Sequence, residues 1–193
     1  VVFTGQIYEP PLQYHYLKRP YTLTPLAATD IPQPYFEDQQ GKRLPSDAPR
    51  DQIAFSVYEI TIQPGIQYQP HPAFAKTADG QPLYLSLTAE DIEQRNQLSD
   101  FSETGTRELV AADYVYEIKR LAHPKLHSPI FGLMTEYIVG LKDYSKTLRE
   151  LVKTRETNGQ AAQFLDLQQY PLSGVELVYR YTRSEERHVG NGV

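Results

Sequence analysis

Residues 105–129 read GTRELVAADYVYEIKRLAHPKLHSP, and the middle of this stretch decides the fold. Ala111, Val115, Ile118 and Ala122 recur at helical spacing, and Tyr114 and Leu121 widen their apolar stripe. Glu117, Lys119 and Arg120 fall mostly off that stripe, as a half-buried helix requires. Pro124 lacks an amide hydrogen and disfavours helical geometry at His123. The spacing therefore predicts an amphipathic core helix that stops there and passes into a loop.

Composition sets the frame around this helix. A chain of 193 residues is long enough for one ordinary domain with a real core. Its 40% hydrophobic and 22% charged content is that of a soluble globular protein. Tyr is abundant and Trp absent, which points to amphipathic surfaces rather than a greasy interior. A net charge of -5 with no visible basic face argues against nucleic acid as a partner. No apolar run approaches the roughly 18 residues needed to span a bilayer. The absence of cysteine excludes disulfides, thiolate metal sites and cysteine nucleophiles.

Upstream of the helix, Leu12, Tyr14 and Tyr16 alternate with Gln13 and His15, which predicts a short strand with one buried face. Prolines at 10, 11, 20, 25, 32 and 34 confine regular structure nearby to short pieces. Residues 37–52 are polar and rich in turn formers, hence a solvated loop. Residues 53–62, IAFSVYEITI, are the clearest strand, dominated by β-branched and aromatic side chains and closed by Pro64 and Gly65. Leu83, Leu85 and Leu87 alternate as a further short strand, and Thr88 with Asp91 forms a capping box opening a polar helix to about Leu98.

Downstream, residues 130–140 and 141–155 predict two more helices. The second carries the stripe Leu141, Tyr144, Leu148, Leu151 and Val152 and ends at Asn158 and Gly159, which tolerate left-handed geometry. Residues 170–182 then run from a loop into a strand.

Few residues suggest chemistry. His123 and His127 have the spacing of a helical metal pair, which His71 or His15 would complete, but Pro124 between them removes the helix that gives the spacing meaning. Glu90, Asp91 and Glu93 suit a helix N-terminus without a catalytic role. There is no G-x-S-x-G, H-E-x-x-H, G-x-G-x-x-G or P-loop, so no catalytic constellation, metal or cofactor is expected.

The wording A-A-D-Y-V-Y-E-I-K-R-L-A-H-P followed by S-P resembles the T-A-x-D-F-V-Y-S-x-x-R-L-x-D-P…S-P signature of family 5 extracellular solute-binding proteins, the peptide receptors of ABC importers. Asp113, Val115, Tyr116, Arg120, Leu121, Pro124, Ser128 and Pro129 are among the matched positions. Val110 or Ala111 replaces the usual threonine, so the hydroxyl N-cap is missing, and His123 stands where an acidic residue is usual. Weaker resemblances run through I-Y-E-P-x-L-Q-Y from Ile7, through residues 53–70 and through residues 170–182, so the likeness spans most of residues 3–182. Residues 71–104 look like an insertion found in one branch of the family.

The resemblance implies an α+β protein, a mixed β-sheet with packed helices. It would be a partial type II periplasmic-binding-protein fold over residues 1–182, mainly the extra subdomain of the N-terminal lobe. It implies a monomeric periplasmic or cell-envelope receptor that binds a peptide or similar small solute and delivers it to an ABC permease. In the family an aromatic residue just after the S-P contributes to the ligand wall; here that position is Ile130, with Phe131 next to it, and Ser128, Pro129, Ile130 and Phe131 are the ligand-site candidates. The chain begins Val-Val-Phe without a signal segment, and on this reading its start is truncated. The last stretch, residues 183–193, resembles the in-frame translation of a DNA-sequencing adapter and is expected to be a non-native tail outside the fold. Two other readings stay open: a receptor-like sensing or scaffolding module without a permease, and a metal-dependent hydrolase using His123 and His127.

Overall fold

The structure, a computed structural model, describes residues 9–160 and 164–188, the last six of them by their backbone alone. In chain order its elements are β1 (Leu12–Tyr14), β2 (Leu23–Pro25), β3 (Tyr35–Glu37), β4 (Arg43–Leu44), β5 (Phe55–Thr61), α1 (Ala89–Glu93), α2 (Ala111–Leu121), α3 (Phe131–Tyr137), α4 (Leu141–Thr157), β6 (Val175–Tyr179) and β7 (Thr182–His188). The class is α+β. Two compact units divide the chain: Pro64–Leu109 is one, and the sequence on either side of it forms the other. The stretch read as an insertion, 71–104, lies wholly inside the first. Ile7, Tyr8 and residues 189–193 fall outside the described residues.

In the larger unit a five-stranded sheet runs β4-β3-β5-β7-β6. Each pairing in it is antiparallel, which corrects the expected mixed sheet. β3 with β4 and β6 with β7 are hairpin neighbours, whereas the β4-to-β5 and β5-to-β6 connections each join like-directed strands across an intervening antiparallel one. β5 lies inside the sheet, and Val57, Ile60 and Ile62 beside it are buried.

β7 overturns the expectation that residues after Thr182 lie outside the fold. Its backbone pairs with β5 from Phe55↔His188 to Thr61↔Thr182, and with β6 on the other side. Arg180 and Tyr181 turn the chain from β6 into β7, with a register irregularity between Leu177 and Tyr179. Ladder hydrogen bonds are made by backbone groups common to every residue, so a tight turn can lay down a strand that has no apolar alternation.

The core of this unit is largely helical. Ile118 of α2 and Ala122, which caps its end, meet Leu141, Tyr144 and Leu148 of α4, with Leu165, Leu167, Leu172 and Val175 closing the cluster. α2 starts and stops where its sequence dictates. Ala111 N–H donates to Arg180 O at 3.0 Å, and Val110 N–H donates to the Asp113 carboxylate at 2.9 Å, so two otherwise orphaned donors are satisfied without a hydroxyl cap. α4 ends with Gly159 at φ +71°, the left-handed stop that Asn158 and Gly159 predict.

β1 and β2 form a separate two-stranded ribbon. Here the expected buried face is absent: Tyr14 is 65% exposed and Tyr16 88%. A lone hairpin has no third strand or helix of its own to cover that face.

The smaller unit is held mainly by turns and ring contacts. Isolated bridges pair Gln67 with Glu108 and His71 with Gly105. Tyr68 and Phe74 pack at 5.4 Å with the Arg107 guanidinium over both rings, and Tyr84 meets Phe101 edge-on at 5.0 Å. The Thr88–Asp91 capping box opens α1 as predicted, but the helix is only five residues long. Leu83, Leu85 and Leu87 do not form a strand: residues 83–86 are a turn and Leu85 is 82% exposed. Alternation alone does not make a strand without an edge to pair with, and Pro82, in an isolated bridge to Lys76, extends no ladder.

Candidate functional site

Ser128, Pro129, Ile130 and Phe131 form the turn that opens α3. Beyond Pro124 the chain loops through His127, at φ +46°, before Ser128 O accepts the Phe131 N–H at 3.3 Å and Ile130 O accepts the Met134 N–H at 3.0 Å. Ile130 is 48% exposed, whereas Phe131 is half-buried and packs with Met134 on the helical core. The turn therefore offers Ile130 to solvent and spends Phe131 on packing.

A different concavity lies between α2 and the segment leading into β6, with a volume of about 540 Å³. Ala112, Val115, Tyr116 and Lys119 form its α2 wall, and Leu172, Val175 and Leu177 face them. Gln168, Ser173 and Glu176 sit on its exposed side. None of the residues 128–131 lines it.

Lys119 is the polar residue built into that groove, and sequence reasoning placed it on the solvent side. It is 7% exposed. Its Nζ donates to Tyr170 O at 2.8 Å and Leu167 O at 3.3 Å. The signal was present: Lys119 stands four residues after Val115 and seven after Ala112, on the flank of the apolar stripe. Burial pushes its pKa below the ordinary lysine range, with the charge of Asp166 opposing the shift. Burial likewise raises Tyr116, and it drives the neighbouring Tyr144 up to about 12, with Tyr116, Tyr170 and Asp166 adding to the effect. The raised tyrosines keep their hydroxyl protons at neutral pH.

The histidines do other work. His123 Nδ1 accepts the Lys125 N–H at 3.2 Å, His71 Nδ1 the Ala73 N–H at 3.0 Å, and His15 Nδ1 the Leu17 N–H at 3.2 Å. Each ring caps a local turn. Burial, then the charges of Lys125 and Arg120, keep His123 below the usual histidine pKa. His123 and His127 sit in a loop, not on a helix, and among the described residues no three His, Cys, Asp or Glu side chains gather as a metal site. Among those residues no helix is long and apolar enough to cross a membrane.

Compared with family models, curated proteins and solved structures, the chain finds no match in any of the three.

Proposed function

We propose that the chain is part of the substrate-binding component of an ABC importer. In this reading it is an exported, monomeric receptor of the periplasm or cell envelope that binds peptides or related small solutes and delivers them to a permease. The observation that carries the reading is the signature itself: A-A-D-Y-V-Y-E-I-K-R-L-A-H-P runs along α2 into its terminating proline, and Ser128-Pro129 leads into α3. An α+β architecture is compatible with it. The partial type II periplasmic-binding fold belongs to the same proposal.

Binding on this reading is non-covalent and needs no cofactor. Two lobes close over an extended ligand because it has greater affinity for the closed state. Main-chain hydrogen bonds supply much of the affinity, so side-chain specificity stays broad. Ser128, Pro129, Ile130 and Phe131 are the ligand wall this chain contributes, with the exposed Ile130 as the contact. One wall of a cleft binds weakly by itself.

Deletion of the encoding gene tests the proposal, with short peptides supplied as the sole source of a required amino acid. Growth is expected to fail and to return on complementation; undiminished uptake of every peptide tried sinks the receptor reading. Calorimetry on the isolated chain checks the one-wall statement, which submicromolar peptide binding would contradict.

A further inference from the structure

We propose that the groove between α2 and β6 is a binding site for a small monocarboxylic acid with an apolar body, its carboxylate seated against Lys119 Nζ. The site is independent of the Ser128–Phe131 wall and of the importer reading.

Size and lining set the class of ligand. About 540 Å³ is in the range of small-molecule pockets, which are mostly apolar with a few convergent polar groups. Val115, Leu172, Val175 and Leu177 supply the apolar walls. Lys119 is the one cation among the lining residues.

Charge sets the head group. An ammonium carries three donors, and the Leu167 and Tyr170 carbonyls take two of those of Lys119. Both acceptors are neutral, so the buried positive charge has dipoles around it and no carboxylate within ion-pairing distance among the described residues. Asp166 acts on it only from farther off, and its carboxylate accepts the Gln168 N–H at 3.0 Å. A buried charge is far better matched by an opposite charge than by dipoles alone, and a ligand carboxylate would take the third donor. Its approach would also reverse the burial-driven fall in the lysine's pKa. Glu176 on the exposed side of the groove disfavours a second anionic group, which selects monoacids over diacids.

The test is calorimetric titration of the whole chain with sodium octanoate, octanol, octylamine and suberate at neutral pH. Octanoate is expected to bind about ten-fold or more tightly than octanol, the scale of a charge-assisted hydrogen bond, with octylamine and suberate weaker still. Lys119→Met should erase the preference for octanoate over octanol. Should that variant fail to fold, Leu177→Asp, at a position 45% exposed, adds a negative charge to the groove and should weaken octanoate more than octanol. Equal affinity of octanoate and octanol for the wild-type chain, or no octanoate binding up to millimolar concentration, overturns the assignment.

Discussion

Lys119 and Tyr144 donate to one backbone oxygen: the carbonyl of Leu167 accepts from Lys119 Nζ and from Tyr144 Oη, each at 3.3 Å. The Tyr170 N–H donates to the same oxygen at 3.3 Å, so its two lone pairs are shared among three donors. The donors come from α2 and α4, and the acceptor from the segment that leads to β6. This oxygen fastens that segment to both helices and so fixes one wall of the groove.

Lys119→Met keeps the apolar stem but removes the ammonium from both carbonyls. Tyr144 still serves Leu167, whereas Tyr170 O loses its 2.8 Å donor. A loss of about 1–3 kcal/mol is expected, the cost of leaving a sheltered acceptor unpaired. Urea unfolding of the chain measures it. A change within about 0.5 kcal/mol, the range of ordinary surface substitutions, would mean that the ammonium does not hold the segment.

Alkaline pH should act through Tyr144. Its folded pKa, raised from 10.0 to about 12, lies above the unfolded value. Its contribution is therefore complete below pH 10 and is lost as pH rises toward 12. Lys119 has the opposite sign: its folded value is lowered from 10.5, so the cost of burying its charge is relieved as pH rises toward 10.5. Urea midpoints followed with pH should hold or rise to about pH 10 and then fall. Tyr144→Phe should flatten the falling limb in part, because Tyr116 is raised as well. A limb unchanged in that variant assigns the loss to other groups.

Two left-handed glycines should respond differently to the same substitution. Gly140 and Gly159 have φ of +73° and +71°, so alanine is strained at both. A Cβ on Gly159 meets nothing, but one on Gly140 would overlap Ser173 Oγ where α4 begins beside the groove wall. Gly159→Ala should cost about 1–2 kcal/mol from the backbone alone. Gly140→Ala should cost the same backbone strain plus what it takes to turn the exposed Ser173 hydroxyl aside. Comparable unfolding midpoints for the two variants would show that Ser173 yields freely.

What could be read from the sequence were the elements that carry their own pattern. α2 has its stripe and its terminating Pro124, β5 its β-branched run, and α4 the buried Leu141, Tyr144 and Leu148 with Gly159 after them. What escaped depends on partners distant in the chain. Lys119 is buried because Leu167 and Tyr170 bring carbonyls to it, and a helical wheel does not show what lies opposite. β7 is placed by its turn and by the free side of β5, through backbone bonds that leave no mark in residue type. Leu85 had the alternation of a strand but no edge to join, and Tyr14 had the strand but no layer to cover it.

The missing hydroxyl at the start of α2 provides a stabilising test. Val110 is the N-cap with extended geometry at φ -131° and ψ 164°, the conformation a capping threonine adopts. Asp113 already accepts the Val110 N–H at 2.9 Å, so half of a reciprocal box is in place. Val110→Thr changes little in volume and supplies the other half, a hydroxyl for the Asp113 N–H. That amide now donates to Val110 O at 3.0 Å, a turn bond that a side-chain cap can share. The substitution should raise stability by about 1 kcal/mol in urea unfolding. Combined with Asp113→Ala, it should gain less than alone, because the two halves of the box position each other. Equal gains in both backgrounds would mean that the threonine acts through something other than the cap.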